Sequence, residues 1–238
     1  MKKQVVVIGL GRYGSSVASE LYQMGHDVLA IDLDEKNVQD MLGHVTYGVK
    51  ADGTNEAVLK ELGVSNFDVA IVAIGTDIQA SILVTVILKE LSIPFIITRA
   101  ITELHGSAME RVGADKVVYP EQEMGRSLAH VGFEPGVLGY MEVAPNYGIT
   151  KLRPPDHLVK HTLEEAGLAR PTDKYGIAVL AIKRGRDYFL VPSIDEQIKP
   201  GDTLIVAGNS EQLGKIYLSA KDLNNNKDLQ PQESGRAA

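Results

Sequence analysis

The chain has 238 residues, with 24 Lys and Arg against 31 Asp and Glu, for a formal net charge of −7. It therefore has no basic field to meet a nucleic-acid backbone, and with no Trp and 5% aromatic residues a base-stacking platform is not expected. Cys is absent, which excludes disulfides and thiolate metal sites. No apolar run is long enough to span a bilayer and the start carries no signal-peptide pattern, so a cytoplasmic protein is expected.

The chain opens on Val5-Val6-Val7-Ile8, an apolar run that reads as a strand buried on both faces. Gly9, Gly11 and Gly14 follow in the pattern G-x-G-x-x-G, and Ser15 to Met24 reads as a helix. A second strand, Val28 to Ile31, delivers Asp32 about 20 residues past the glycines. In this arrangement Gly9 permits a tight turn, Gly11 lets a pyrophosphate approach the backbone, and Gly14 lets helix and strand pack closely. Free N–H groups and the helix dipole then favour a phosphate at the helix start. Asp32 is placed to accept hydrogen bonds from a ribose diol and to repel a 2′-phosphate, which points to ATP, ADP or NAD(H) rather than NADP(H).

Strands and helices continue to alternate. Helices are expected over Glu35 to Leu42, Asn55 to Leu62, Ile78 to Leu91 and Glu103 to Val112, with Gly63 and Gly113 as natural stops. Strands are expected over Thr46 to Val49, Val69 to Ile74, Phe95 to Thr98 and Lys116 to Tyr119. Pro120 then opens a helix from Glu121 to His130. Such alternation means a Rossmann-like, doubly wound parallel sheet of the α/β class. In that fold the ligand lies where the strand order reverses, so Ala73, Gly75 and Thr76 should face it. Asp52 is on the same side and can reach an adenine edge, while Thr54 reads alternatively as a helix N-cap. Arg12, inside the glycine loop, has a guanidinium that can fork onto phosphate oxygens.

After Gly132-Phe133-Glu134-Pro135-Gly136 the pattern turns strand-rich, with runs at 137–143, 148–152, 177–182, 188–191 and 203–207. Short helices are expected over Thr162 to Ala166 and Glu211 to Leu218, and a hairpin turn over Lys183 to Asp187. This is a small α+β lobe, and the polar composition beyond 218 predicts a disordered tail. The lobe offers His157 and His161, with no carboxylate to orient them and a proline pair ahead. No G-x-S-x-G, H-E-x-x-H or Walker-type signature occurs. The site reads as one that holds a nucleotide without transforming it. A compact NAD-dependent oxidoreductase and an NAD(H)-sensing module are the alternatives.

Taken together, Ile8-Gly9-Leu10-Gly11-Arg12-Tyr13-Gly14, Val28-Leu29-Ala30-Ile31-Asp32, Val72-Ala73-Ile74-Gly75, Val112-Gly113-Ala114-Asp115 and Tyr119-Pro120-Glu121 resemble the RCK (KTN) domain. More specifically, the chain is similar to the cytosolic gating subunits of bacterial Ktr/Trk-type potassium uptake systems. The resemblance divides it into a nucleotide-binding lobe with crossover helix at 1–131, a C-terminal lobe at 137–218 and a tail at 219–238. One nucleotide-binding half per chain looks like the Ktr type. The resemblance implies an octameric ring built from dimers, docked on the inner face of a membrane potassium-translocating subunit and therefore peripheral to the membrane. It implies that ATP and ADP compete for the crevice, with Tyr13 in the binding loop and Arg99 and Glu121 near the phosphates. Glu121 is then either a first-turn acid favoured by the helix dipole or a ligand to a divalent or monovalent cation. The family's C-terminal lobe can also bind a cyclic dinucleotide; here Gly167 to Asp173 departs from the family pattern in length and in its proline.

Overall fold

Two apolar runs, Val5 to Ile8 and Val69 to Val72, lie next to each other at the middle of a six-stranded sheet. The computed structural model describes residues 1–170 and 174–217. The chain divides into two compact units, Met1–Gln122 and Glu123–Ala238.

The first unit runs β1 (Gln4–Ile8), α1 (Arg12–Gln23), β2 (Asp27–Asp32), α2 (Glu35–Asp40), β3 (Tyr47–Lys50), α3 (Glu56–Glu61), β4 (Val69–Val72), α4 (Ile78–Glu90), β5 (Ile96–Arg99), α5 (Glu103–Arg111) and β6 (Lys116–Val118). Its sheet has the order β3-β2-β1-β4-β5-β6, and every pairing is parallel. Both faces are covered. Val6, Ile8, Leu29, Ile31 and Val72 pack on one side with Leu59 of α3 and Leu88 of α4. Val5, Val7, Val28, Ala30 and Ile71 pack on the other with Ala18 of α1. Strands buried on both faces have no reason to alternate in polarity, which is why these runs are apolar throughout.

Helix starts follow side-chain caps: Asp34, Asn55, Asp77 and Thr102 accept from first-turn amides of α2, α3, α4 and α5. At α3 the cap is Asn55, which corrects the Thr54 alternative. Thr54 is instead drawn to Asp52, whose Oδ1 accepts from its amide at 2.9 Å and its hydroxyl at 2.6 Å. Gly63 and Gly113 stand just past α3 and α5 with φ of 69° and 114°, as expected of helix stops.

Pro120 begins α6 (Pro120–Phe133), which continues past His130. The second unit then contains β7 (Val137–Ala144), β8 (Tyr147–Leu152), β9 (Ile177–Arg184), β10 (Asp187–Leu190), β11 (Thr203–Asn209) and α7 (Ser210–Gly214). Its sheet has the order β10-β9-β11-β8-β7 and is antiparallel throughout. Leu152, Ile177, Ile182, Leu204 and Val206 form a core with Leu158, Leu163, Leu168, Leu213 and Ile216.

The helix expected over Thr162 to Ala166 does not form. Thr162 and Glu165 do make a reciprocal capping box, Thr162 N to Glu165 Oε2 at 2.9 Å and Glu165 N to Thr162 Oγ1 at 3.1 Å. Thr162 is, however, bridged to Gln197, and Gly167 at φ 70° closes the turn after one revolution. The last helix is also shorter than expected, because a 3-10 turn, Lys215–Tyr217, follows α7. Leu218, the tail at 219–238 and residues 171–173 of the Gly167 to Asp173 segment lie outside the described residues.

Candidate nucleotide-binding site

The strand order reverses between β1 and β4, so a crevice opens above their carboxyl ends. The glycine loop forms one wall, and each glycine has a separate geometric reason. Gly9 has φ of 96° and donates to Ile31 O at 2.8 Å, which turns the chain sharply off β1. At Gly14 a Cβ would stand 1.8 Å from Gly9 O and 2.9 Å from Ala73 Cβ, so only glycine lets α1 sit this close to β1 and β4. Gly11 caps α1 without a side chain, and a Cβ there would meet nothing within 4 Å. The space over Gly11 is open, and no acidic residue occupies the first turn of α1. That is the cradle a phosphate requires.

Asp32 stands at the end of β2 as the spacing predicts, and its carboxylate is held in place by its neighbours. Leu10 N donates to Oδ2 at 2.5 Å, while Asp34 N and Asn37 Nδ2 donate to Oδ1 at 2.8 and 3.2 Å. A carboxylate has about four lone-pair sites, so acceptor capacity for a ribose diol remains. The bond from Leu10 ties the acid to the glycine loop, a link the spacing does not reveal.

Arg99 and Glu121 pair with each other, and the charge of Arg12, on the glycine loop, reaches Glu121. Arg99 Nη2 donates to Glu121 Oε1 at 2.5 Å. Partial burial pushes the Glu121 carboxyl up, but the Arg99 hydrogen bond, its own backbone amide and the charges of Arg99 and Arg12 outweigh this and hold it below the usual range. Gly75 supplies the seat. A Cβ there would lie 1.7 Å from Arg99 Nη1, so the guanidinium rests on the glycine. Thr98 pairs with Val72 across β4 and β5, which brings the two strand exits side by side. A glycine and an arginine leaving adjacent parallel strands are the sequence signal for this contact. Arg99 Nε is buried without a hydrogen-bond partner among the described residues.

The other expected residues are placed as follows. Ala73 is buried beneath the loop against Gly14 and donates its N–H to Ile8 O at 2.8 Å. Thr76 is exposed beyond Gly75, and Tyr13 lies in the first turn of α1. Asp52 is engaged with Thr54 as described above. His157, in a 3-10 turn, and His161 are both exposed, and among the described residues no group of three or more His, Asp or Glu is arranged to hold a metal.

Two family models match the chain. The TrkA-N domain matches residues 5–120 and the TrkA-C domain matches residues 150–220. The chain is 39% identical over 216 residues to Ktr system potassium uptake protein C of Bacillus subtilis, covering 91% of this chain and 96% of that protein. The chain belongs to the Ktr family of potassium uptake proteins. Within that family it is 38% identical to protein A of Bacillus subtilis over 90% of this chain and 95% of that one, and 32% identical to protein A of Vibrio alginolyticus over 89% and 94%. The Ktr chain also shares its fold with a solved structure titled GsuK Channel, at a TM-score of 0.65 and 18% identity, over 92% of this chain and 39% of the channel chain.

Proposed function

We propose that this Ktr-family chain is the nucleotide-responsive regulatory subunit of a membrane potassium-uptake system, binding ATP and ADP in the crevice between β1 and β4. The observation that carries this is the uncapped, open Gly11 cradle beside Arg12, with the charge of Arg12 reaching the Arg99–Glu121 pair. The cradle supplies backbone donors for a diphosphate. Arg12 and Arg99, with Arg99 Nε unpartnered, supply charge where a third phosphate would extend, and Asp32 supplies acceptors for the ribose.

NAD(H) would satisfy Asp32 and the cradle equally but would leave the arginine pair without a terminal phosphate. Glu121, already ionised by its arginine neighbours, would hold a cation together with phosphate oxygens; the cation would screen the charge that a third phosphate adds. The subunits assemble as a ring of dimers, an octamer, peripheral to the inner face of the membrane and bound to the potassium-translocating subunit. The nucleotide-binding lobe with its crossover helix comprises 1–131 and the C-terminal lobe 137–218.

Binding moves the ring only through a difference in affinity between its shapes, and a near-complete shift needs roughly 5 kcal/mol shared over the subunits. Titration of the purified protein with ATP, ADP and NADH, followed by affinity and by hydrodynamic size, tests this. The expected result is tighter ATP binding together with a change of shape. Equal affinities for ATP and ADP with no change of shape would refute it.

A further inference from the structure

Helix α6 carries Glu121 in its first turn, against Arg99, and extends unbroken to Phe133 in the second unit. Within that unit its later turns present Ser127 and His130 to β7, and Glu134 follows just past its end. All three converge on Tyr140 or its partner. Ser127 Oγ donates to Tyr140 O at 2.9 Å. The His130 ring lies on the Tyr140 ring, with centroids 3.8 Å apart and planes tilted by 31°. His130 Nδ1–H is in turn held by Glu134 Oε1 at 2.6 Å. Arg126 and Glu142 form an ion pair alongside.

Tyr140 also reaches past the helix. Its hydroxyl meets Ser210 Oγ, the first residue of α7, at 3.0 Å. Its ring occupies space that exists only because residue 148 of β8 is glycine: a Cβ there would stand 2.4 Å from Tyr140 Cε2. One side chain thus touches α6, β8 and α7 from its place on β7.

We propose that Tyr140 is the positioning residue that fastens α6 to the second sheet, so that a displacement of α6 begun at Glu121 is passed to β7, β8 and α7. This rests on the nucleotide-responsive reading above. Tyr140 touches no nucleotide; it acts through α6. A side chain that merely filled the sheet would be replaceable by leucine, whereas a coupling joint needs the flat ring stacked on His130.

The test is hydrogen exchange on the full-length protein with ATP and with ADP, read peptide by peptide. The unaltered protein should show different exchange between the two nucleotides both in α6 and in the 137–152 hairpin, by about threefold or more. Tyr140→Leu should keep nucleotide affinity and the ATP–ADP difference at the glycine loop while losing the difference at 137–152. Tyr140→Phe, which keeps the stacked ring, should retain it. If Tyr140→Leu does not fold, Ser127→Ala with His130→Leu tests the same joint from the helix side and should lose the same signal. A hairpin difference that survives Tyr140→Leu, or survives that double variant, overturns the proposal. So does a nucleotide response confined to the first unit of the unaltered protein. Absence of any ATP–ADP difference, even at the glycine loop, instead refutes the nucleotide-responsive reading itself.

Discussion

The two units solve the same problem, covering a sheet, with opposite chemistry. In the first, a parallel sheet is buried on both faces, and its loop depends on glycines that let backbone approach backbone, as at Gly14. In the second, an antiparallel sheet is tied by a polar clamp. Arg184 donates from Nε and Nη2 to Asp202 at 2.9 Å each, from Nη1 to Glu196 at 3.0 Å and from Nη2 to Gln197 O at 2.9 Å, while its guanidinium lies 5.0 Å from the Phe189 ring centroid. The lesson is that the glycine loop of the first unit depends on absent side chains, whereas the clamp of the second depends on one long side chain with four of its five N–H donors engaged.

The sharpest way to break that contrast is Arg184→Ala. It leaves Asp202, 1% exposed, as a buried carboxylate with only the Lys199 amide, and should cost about 3 to 5 kcal/mol by urea unfolding. Nucleotide affinity should not change, because the clamp lies outside the binding unit. Next comes Gly14→Ala. Its new methyl meets a backbone carbonyl that cannot swing aside, so a loss of about 3 kcal/mol is expected, with nucleotide binding abolished. Gly75→Ala sharpens the same point with a smaller effect. Here the methyl meets the far end of Arg99, which can move, so stability should stay within about 0.5 kcal/mol. ATP affinity should nevertheless fall about tenfold in calorimetry, because the displaced guanidinium no longer stands over the mouth.

The smallest effect is a pH dependence confined to the first unit. His105 is buried between α4 and α5, and Ile101 N donates to its Nδ1 at 3.4 Å, so its proton sits on Nε2, toward Ser81 Oγ at 2.9 Å. Burial lowers its pKa below 6.5. The unfolded chain therefore binds a proton that the folded chain refuses. Stability should be full above about pH 6.5 and decline as pH falls toward the folded value, by thermal melts of the first unit. His105→Gln should flatten that decline.

Much of the first unit is written locally. The apolar runs, the glycine spacing, Asp32 and the stops at Gly63 and Gly113 each state their structure within a few residues, and the parallel pairing of the strands follows from alternation. The contacts that complete the site are not local. Leu10 to Asp32, Gly75 under Arg99 and Arg99 to Glu121 join strand ends that are distant in sequence, and become visible only once the parallel order is known. In the second unit local signals mislead. Thr162 and Glu165 write a helix start, but pairing with Gln197 and the turn at Gly167 overrule it. Asn55 prevailed over Thr54 as a cap because Asp52 had already engaged the threonine.

The central place of β1 has a consequence for the newborn chain. β1, which emerges before either of its partners, pairs with β2 on one side and with β4 on the other, Val5 lying opposite Val69. Its second edge therefore stays bare until β4 has emerged, and pairings between segments this distant in sequence slow folding. A ribosome paused before β4 would present an apolar ribbon ready to stick to its neighbours.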